Sequence, residues 1–492
     1  MEETNTNLDE KRERIKFIVL SQIPMIIATC VISLFALFIF SDNFVAEFIG
    51  QRIPMTVGLF VSNYFILFCL FFALLVFDKE KFTRAKDFLL IVIAIAITYI
   101  ACVAAVDFLN VYAIPIALCG LLIAILISAK SGICSVILLS MLLFVACMFK
   151  GSFSQFTSLS VTTAIICNTL ASLNIIYFVS KHYTRIKFLL YALIAGLISL
   201  PFVIASTLAT GILDIQLLYN VLWAIAANFI AVLLFMPLLA VFESAFNIAD
   251  DFRLDEISNL NQPLLKRLAS EAPGTFNHSL VVGTLAESCA MAIGDNPRLA
   301  KAGAYYHDVG KLKAPTYFVE NQSDYNPHDE LIPEVSVSMI TSHTMFGEIL
   351  NRQYRLPEEI VKISKEHHGT APVGYFYQKA LKLTEGTLSV ANFVYPGPKP
   401  STKISAIIMI ADTTEAAFRA YMPPTKEEFL ARIDMLVNEK MNLGQFDECP
   451  ITMHDLAVIK QTIINVLPSI HHSRVNYETE KKPVAKKKVK NK

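Results

Sequence analysis

The chain has 492 residues, of which 54% are hydrophobic and 17% charged, with a mean hydropathy of +0.51. A soluble domain carries roughly 25% charge, so this composition excludes a disordered chain, a collagen-like chain and a small disulfide scaffold, and points to a membrane. Lys+Arg and Asp+Glu are both 42, and a chain of zero net charge is not built to coat a DNA or RNA polymer, so any nucleotide is expected in a local site.

Residues 1–16 form a polar leader, and residues 17–242 are dominated by apolar runs. Eight spans are expected: Phe17–Phe40, Ile53–Phe77, Phe88–Leu109, Tyr112–Ala129, Ile133–Phe149, Phe156–Val179, Phe188–Thr207 and Leu217–Phe242. A helix needs ~20 apolar residues to cross a ~30 Å hydrocarbon core, and most of these qualify. Lys130-Ser131-Gly132 is a tight turn between the fourth and fifth. The Lys and Arg residues are unevenly placed. Twelve fall in the leader and even-numbered loops (Lys11, Arg12, Arg14 and Lys16, then Lys79, Lys81, Arg84 and Lys86, then Lys130, then Lys181, Arg185 and Lys187), against Arg52 and Lys150 in the odd-numbered loops. The positive-inside rule then puts both termini in the cytoplasm of a multi-pass cell-membrane protein. The first run is too long for a cleavable signal peptide.

Seven of nine cysteines lie in or at these spans, and no CxxC pair exists, so they read as small packing residues in a reducing compartment. Asn63, Asp107, Asn168, Asn174, Asn220 and Asn228 are the polar span residues. No intramembrane Lys or Arg pairs with Asp107, and no internal repeat is evident, so hydrogen bonding between helices explains the asparagines better than a transport path does.

Residues 243–262 turn polar and read as a connecting helix or linker. Residues 263–470 show helical periodicity without strand alternation, with runs from Pro263, over His278–Ile293, Arg298–Gly310, Glu334–Gln353, Glu358–His368 and Ile404–Tyr421. The expected fold is therefore all-α: a multi-span membrane domain followed by an all-helical cytoplasmic domain. Residues 471–492 form a basic, disordered tail with seven lysines from Lys481 onward.

Six of ten histidines lie between His278 and His368. His307 is followed by Asp308, His343 stands alone, His367 and His368 are adjacent, and Asp412 ends an apolar stretch where an unpaired acid would be costly to bury. Five imidazoles and two carboxylates suffice for two divalent ions, with Asp308 as the bridge. Two ions ~3.5–4 Å apart can hold a hydroxide and clamp a phosphoryl group. Imidazole-rich sites favour iron, manganese or zinc over magnesium. Lys311, four residues after His307, shares its face if the helix continues, and can neutralise a phosphate oxygen.

The motifs Glu271-Ala-Pro-Gly-Thr-Phe-Asn-His278, Tyr306-His-Asp-Val-Gly-Lys311, Phe318-Val-Glu-Asn-Gln322, Asn326-Pro-His-Asp329, Glu366-His-His-Gly-Thr370 and Tyr395-Pro-Gly-Pro-Lys-Pro400 succeed one another in this order. With them the chain resembles the metal-dependent HD phosphohydrolases, and within these the seven-transmembrane HD family of PgpH-type cyclic di-AMP phosphodiesterases, from about Ile53 to Ile470. The resemblance implies an HD domain in which His278, His307, Asp308 and Asp412 hold one metal and Asp308, His343, His367 and His368 the other. Iron or manganese is the expected pair of ions. A hydroxide between them would open cyclic di-AMP to linear pApA, with Asp308 and Lys311 in the catalytic group and Lys311 and Lys399 contacting substrate. Asn326–Asp329 would support the site or cap a helix. The partners implied are cyclic di-AMP and the lipid bilayer, with a homodimer allowed. Only Ser41–Arg52 separates the first two spans, too little for the extracellular domain that such proteins usually carry there. The Gly369-Thr-Ala-Pro run departs from the Gly-Tyr-Pro pattern of cyclic di-GMP enzymes. Hydrolysis of another nucleotide, cyclic di-GMP included, and a non-catalytic membrane receptor are the alternatives.

Overall fold

A computed structural model describes residues 2–40, 53–78, 85–149, 158–180, 185–209, 215–383, 388–421, 423 and 425–470. The expectations for the Ser41–Arg52 connection, the 471–492 tail and the loop cations Arg52, Lys79, Lys81, Arg84, Lys150 and Lys181 lie outside the described residues. The chain divides into two compact units between Asp250 and Asp251. All regular structure among the described residues is helical, as the hydrophobic periodicity implied, with one isolated bridge between Pro372 and Val394.

The first unit contains α1 (Glu2–Phe40), α2 (Ile53–Phe77), α3 (Ala85–Phe108), α4 (Ala117–Leu126), α5 (Ala129–Phe149), α6 (Ser158–Val179), α7 (Arg185–Ala209) and α8 (Ile215–Phe246). Seven are long and apolar enough to cross a membrane, and α4 is not. Helices prevail because a backbone in hydrocarbon must satisfy its own N–H and C=O groups. Here the structure corrects the fourth expected span. Instead of a helix over Tyr112–Ala129, there is an irregular, buried stretch at 111–116 and then ten helical residues. Pro115 removes one N–H donor and biases Ile114 away from helical geometry.

The break is held by side chains. Asn110 Oδ1 accepts from Tyr112 N (2.8 Å), Asn168 Nδ2 donates to Tyr112 O (3.4 Å), and the Tyr112 hydroxyl pairs with Ser206 Oγ (2.7 Å). One end of the segment is tied to the start of α8, where Asn110 Nδ2 donates to Asn220 Oδ1 (3.1 Å). Its other end reaches the connection between α2 and α3, where Ser128 and Ser131 (2.6 Å) both donate to Asp78 Oδ2. The segment from Leu109 to Ser128 therefore runs back along α3, towards the end from which α3 set out. Asn63, Asn168 and Asn220 bond across segments, as expected, whereas Asn174 and Asn228 donate to carbonyls of their own helices.

The second unit contains α9 (Asp251–Ile257), α10 (Pro263–Glu271), α11 (Pro273–Ala292), α12 (Pro297–Tyr306), α13 (Pro333–Gln353), α14 (Glu358–Glu366), α15 (Gly374–Leu383), α16 (Lys403–Ala420), α17 (Lys426–Asn442) and α18 (Met453–Ile470). Several begin with Pro at the first helical position, where no N–H is needed. Asn296 caps α12 by accepting from Arg298 N (3.0 Å) and Leu299 N (3.1 Å). Thr452 and Asp455 cap α18 reciprocally (3.1 and 2.9 Å). The core is the apolar face of α16, with Ile407 and Ile410, packed against Leu285 and Cys289 of α11, Ile433 of α17 and Ile459 and Ile463 of α18. Short α9 packs on α12: Arg298 reaches Asp251 (2.5 Å) and Asp255 (3.1 Å), and the buried Tyr306 hydroxyl donates to Ile257 O (2.8 Å).

Candidate metal centre

Five elements deliver the histidines and acids to one point. His278 sits on α11, His307 and Asp308 on the turn after α12, His343 in the middle of α13, His367 and His368 at the end of α14, and Asp412 on α16. The start of α11 is clamped by the Phe318–Gln322 segment. Asn321 Oδ1 accepts from Gly274 N (2.9 Å) and Thr275 N (3.2 Å), and Thr275 Oγ1 donates to Glu320 (3.0 Å). A side chain at Gly274 would lie 1.8 Å from the Glu320 carbonyl oxygen, so glycine is required there. Gly310 similarly passes against α13, where an added Cβ would lie 1.9 Å from His343 O. The helix expected to run to Gly310 ends at Tyr306, and residues 309–313 tighten into a 3₁₀ turn.

Two groups of possible ligand atoms result, His278–His307–Asp308–Asp412 and Asp308–His343–His367–His368, each within 4.8 Å. Asp308 divides its two oxygens between them. Oδ2 is 3.2 Å from His307 Nε2 and 3.7 Å from His278 Nε2, while Oδ1 is 3.3 Å from His343 Nε2 and 3.6 Å from His367 Nε2. Asp412 lies 2.9 Å from His278 Nε2 and 3.7 Å from His368 Nδ1.

The donor set fits divalent cations. The Nδ1–H of His307, His343 and His367 each donates to the carbonyl three residues earlier (2.7, 2.6 and 2.8 Å). This fixes the tautomer and aims each Nε2 lone pair inward, the usual orienting contact of metal-bound imidazoles. Nε2 of His343 and of His367 then face each other at 3.2 Å, two lone pairs that call for a cation nearby. His307 Nε2 and Asp308 Oδ1 are buried with no hydrogen-bond partner among the described residues. Glu415, one turn after Asp412, accepts from His278 Nδ1 (2.5 Å).

The electrostatics agree. Burial, with the neighbouring His367, pushes His368 below its ordinary range, and burial pushes His343 down to about 3, so both are neutral donors. Burial also opposes charge on His307, but Asp308 and Asp412 override it and raise it to about 10. A cation between those carboxylates would take over that proton's role. Burial opposes ionisation of Asp308 and Asp412, yet the surrounding imidazoles, with Lys311 for Asp308, hold both well below the carboxylate range.

Lys311 is not on a continuing helix with His307. Its ammonium meets Asp308 Oδ2 (2.7 Å) and Glu320 Oε1 (2.8 Å), leaving one of its three N–H donors. Lys399 pairs with Asp447 Oδ2 (3.3 Å) and forms no ion pair with the cluster among the described residues. Asn326 caps the 327–329 turn through His328 N (3.1 Å), and its other hydrogen bonds among the described residues go to Gln322 and Asp329 rather than to the ligand groups. Sequence reasoning missed Glu320, Glu415 and Tyr395. Glu415 was findable, since it follows Asp412 at helical spacing, and Glu320 and Tyr395 stand inside motifs of the HD family. Tyr395 stacks on His368 at 4.2 Å between centroids.

Residues 53–249 match the family described as 7TM receptor with intracellular HD hydrolase, and residues 275–417 match the HD domain family. The chain is 35% identical over 445 residues to the cyclic-di-AMP phosphodiesterase PgpH of Bacillus subtilis, covering 87% of this chain and 61% of that protein. It is 36% identical to the cyclic-di-AMP phosphodiesterase PgpH of Listeria monocytogenes over 75% of this chain and 50% of the relative. The chain thus spans between half and three-fifths of these relatives' length. A crystal structure of the L. monocytogenes PgpH HD domain in complex with cyclic-di-AMP is 44% identical, covering 44% of this chain and 100% of that one, with a TM-score of 0.42. The chain resembles the seven-transmembrane HD family in both of its parts: a multi-pass membrane block and a divalent-metal HD domain.

Proposed function

We propose, from a chain that carries both parts of the seven-transmembrane HD family, that this protein is a membrane-anchored phosphodiesterase that hydrolyses cyclic di-AMP to linear pApA. The observation that carries the reading is the sharing of Asp308 between two four-residue ligand groups, one on each carboxylate oxygen. His278, His307, Asp308 and Asp412 are the ligands of one ion, and Asp308, His343, His367 and His368 those of the other. The donor set favours iron or manganese. When bound, two such ions supply a water ionised near neutral pH and neutralise charge on a phosphodiester. The chain's own residues do the positioning. Glu415 orients His278, backbone carbonyls orient three further imidazoles, and Lys311 with Glu320 fixes the Asp308 carboxylate. Lys311 keeps one donor for a phosphate oxygen. Lys399, paired with Asp447, is the weaker substrate contact of the two.

Both termini belong on the cytoplasmic side. The lysine and arginine bias supports this, and so does the Leu109–Ser128 path, which acts as an eighth crossing made half of irregular chain. The cyclic dinucleotide would then meet the HD domain inside the cell. The test uses the full chain in detergent, loaded with manganese or anaerobically with iron, and given cyclic di-AMP and cyclic di-GMP separately. Release of pApA is expected. Preferential cleavage of cyclic di-GMP, or binding of cyclic di-AMP without cleavage by protein holding two ions, refutes the assignment.

A further inference from the structure

The Tyr395-Pro-Gly-Pro-Lys-Pro400 stretch has no role in the ligand groups, yet it is built to hold one side chain against them. Tyr395 N donates to Ala371 O (3.0 Å), and Val373 N donates to Phe393 O (2.7 Å). The segment is thereby pinned to the turn after His367 and His368. Prolines at 396, 398 and 400 stiffen the chain beyond the tyrosine. The Tyr395 ring is half-buried, stacks on His368 at 4.2 Å and 27°, and stands edge-on to His343 at 5.9 Å. Its charged surroundings are Lys311, Asp308, Asp412 and Glu320.

The hydroxyl is the unexplained part. The interactions of Tyr395 among the described residues are its backbone bond to Ala371 and its ring contacts with His343 and His368, so the hydroxyl of this half-buried residue is left open to a ligand. Beside it, Lys311 already spends two donors on Asp308 and Glu320. A phosphodiester entering between the ligand groups presents two non-bridging oxygens, and Lys311 has one donor left for them. We infer that the Tyr395 hydroxyl donates a hydrogen bond to a non-bridging oxygen of the scissile phosphate. The ring's stack on His368 sets the position of that hydroxyl and excludes water from one side of the site.

The inference rests on the phosphodiesterase reading, and its test separates the two. Wild type and Tyr395→Phe are compared as full chains in detergent, on cyclic di-AMP and on bis(p-nitrophenyl) phosphate, a diester with no sugar or base. Phenylalanine keeps the stack and removes only the donor. Metal content and melting temperature are expected to be unchanged. kcat/KM is expected to fall about 10- to 100-fold on both substrates, the loss appropriate to a hydrogen bond to a charged group. Equal rates for the two proteins overturn the inference. So does a loss confined to cyclic di-AMP, which would place the hydroxyl on sugar or base, or a loss of bound metal, which would make it a support for His368. If wild type cleaves the simple diester but not cyclic di-AMP, the proposed substrate falls, and the Tyr395→Phe ratio on the simple diester still decides this point.

Discussion

Gly310 tests how the metal centre is assembled. It lies two residues after Asp308, where the chain passes α13 so closely that an added Cβ would sit 1.9 Å from His343 O and 2.5 Å from Gly347 N. Ordinary contact begins near 3.4 Å, so Gly310→Ala must push the two backbones apart by about 1.5 Å. Neither neighbour is a flexible side-chain tip that could swing away. His343 belongs to the displaced helix and Asp308 to the displaced turn, 3.3 Å apart across the gap. Metal–ligand distances tolerate only about 0.2 Å, so one ion should be lost even if the fold survives. Overpacking of this kind costs about 1–3 kcal/mol, and melting should fall by about 2–4 °C for each kcal/mol in a domain of this size. A misplacement of ~1 Å near the chemistry also costs about 100-fold in rate. The measurements are metal per chain by mass spectrometry, rate on a simple phosphodiester, and thermal unfolding. Gly374→Ala is the control, since nothing lies within 4 Å of its added Cβ. A Gly310→Ala protein that holds two ions and hydrolyses at the wild-type rate would refute the argument that this contact sets the spacing of Asp308 and His343.

Other substitutions read other parts of the same design. Asp308→Ala removes the shared carboxylate, so metal content should drop from two ions to none and activity with it; a protein that keeps one ion and its activity would sink the two-metal reading. Glu415→Gln leaves the His278 contact in place without its charge and should weaken metal affinity about 10-fold or more with little change in melting, checked by competition against a chelating dye. Chelation of the wild type should lower its melting temperature, because the buried lone pairs of His343 and His367 lose the charge that separates them. Thr452→Ala deletes one side of the α18 cap and should cost about 1 kcal/mol in thermal unfolding while leaving metal content at the wild-type value.

The legible and illegible parts of the sequence differ for physical reasons. Histidine and aspartate are scarce in an apolar helical chain, so His307-Asp308, His367-His368 and Asp412 stood out before any geometry existed. Long apolar runs announce membrane helices because hydrocarbon leaves the backbone no other partner. The interruption at 111–116 was hidden, since apolar residues line a buried irregular chain as readily as a helix. Asn110 and Pro115 were the only local signs, and their meaning depends on Asn168, Ser206 and Asn220 arriving from other helices. Lys311 was placed by assuming that a helix continues past His307. The close approach of Gly310 to α13 ends it instead, and the lysine turns to Asp308 and Glu320. Glu320 acts from a single 3₁₀ turn, Val319–Asn321, too short for spacing along the chain to tell where its side chain points.

The Tyr306 hydroxyl has a practical bearing on where the chain can be cut. It sits beside His307 and uses the Ile257 carbonyl as its acceptor, while Arg298 draws in Asp251 and Asp255. A soluble fragment that starts at Pro263, where the longer helices begin, would discard all three acceptors. The buried phenol would then lack a partner, at a cost of about 1–3 kcal/mol, next to two proposed metal ligands. Such a fragment would understate the affinity of the site for its ions for reasons unrelated to the bilayer. A fragment that begins at or before Asp251 keeps the acceptors, and is the one whose kinetics can be compared with those of the whole protein.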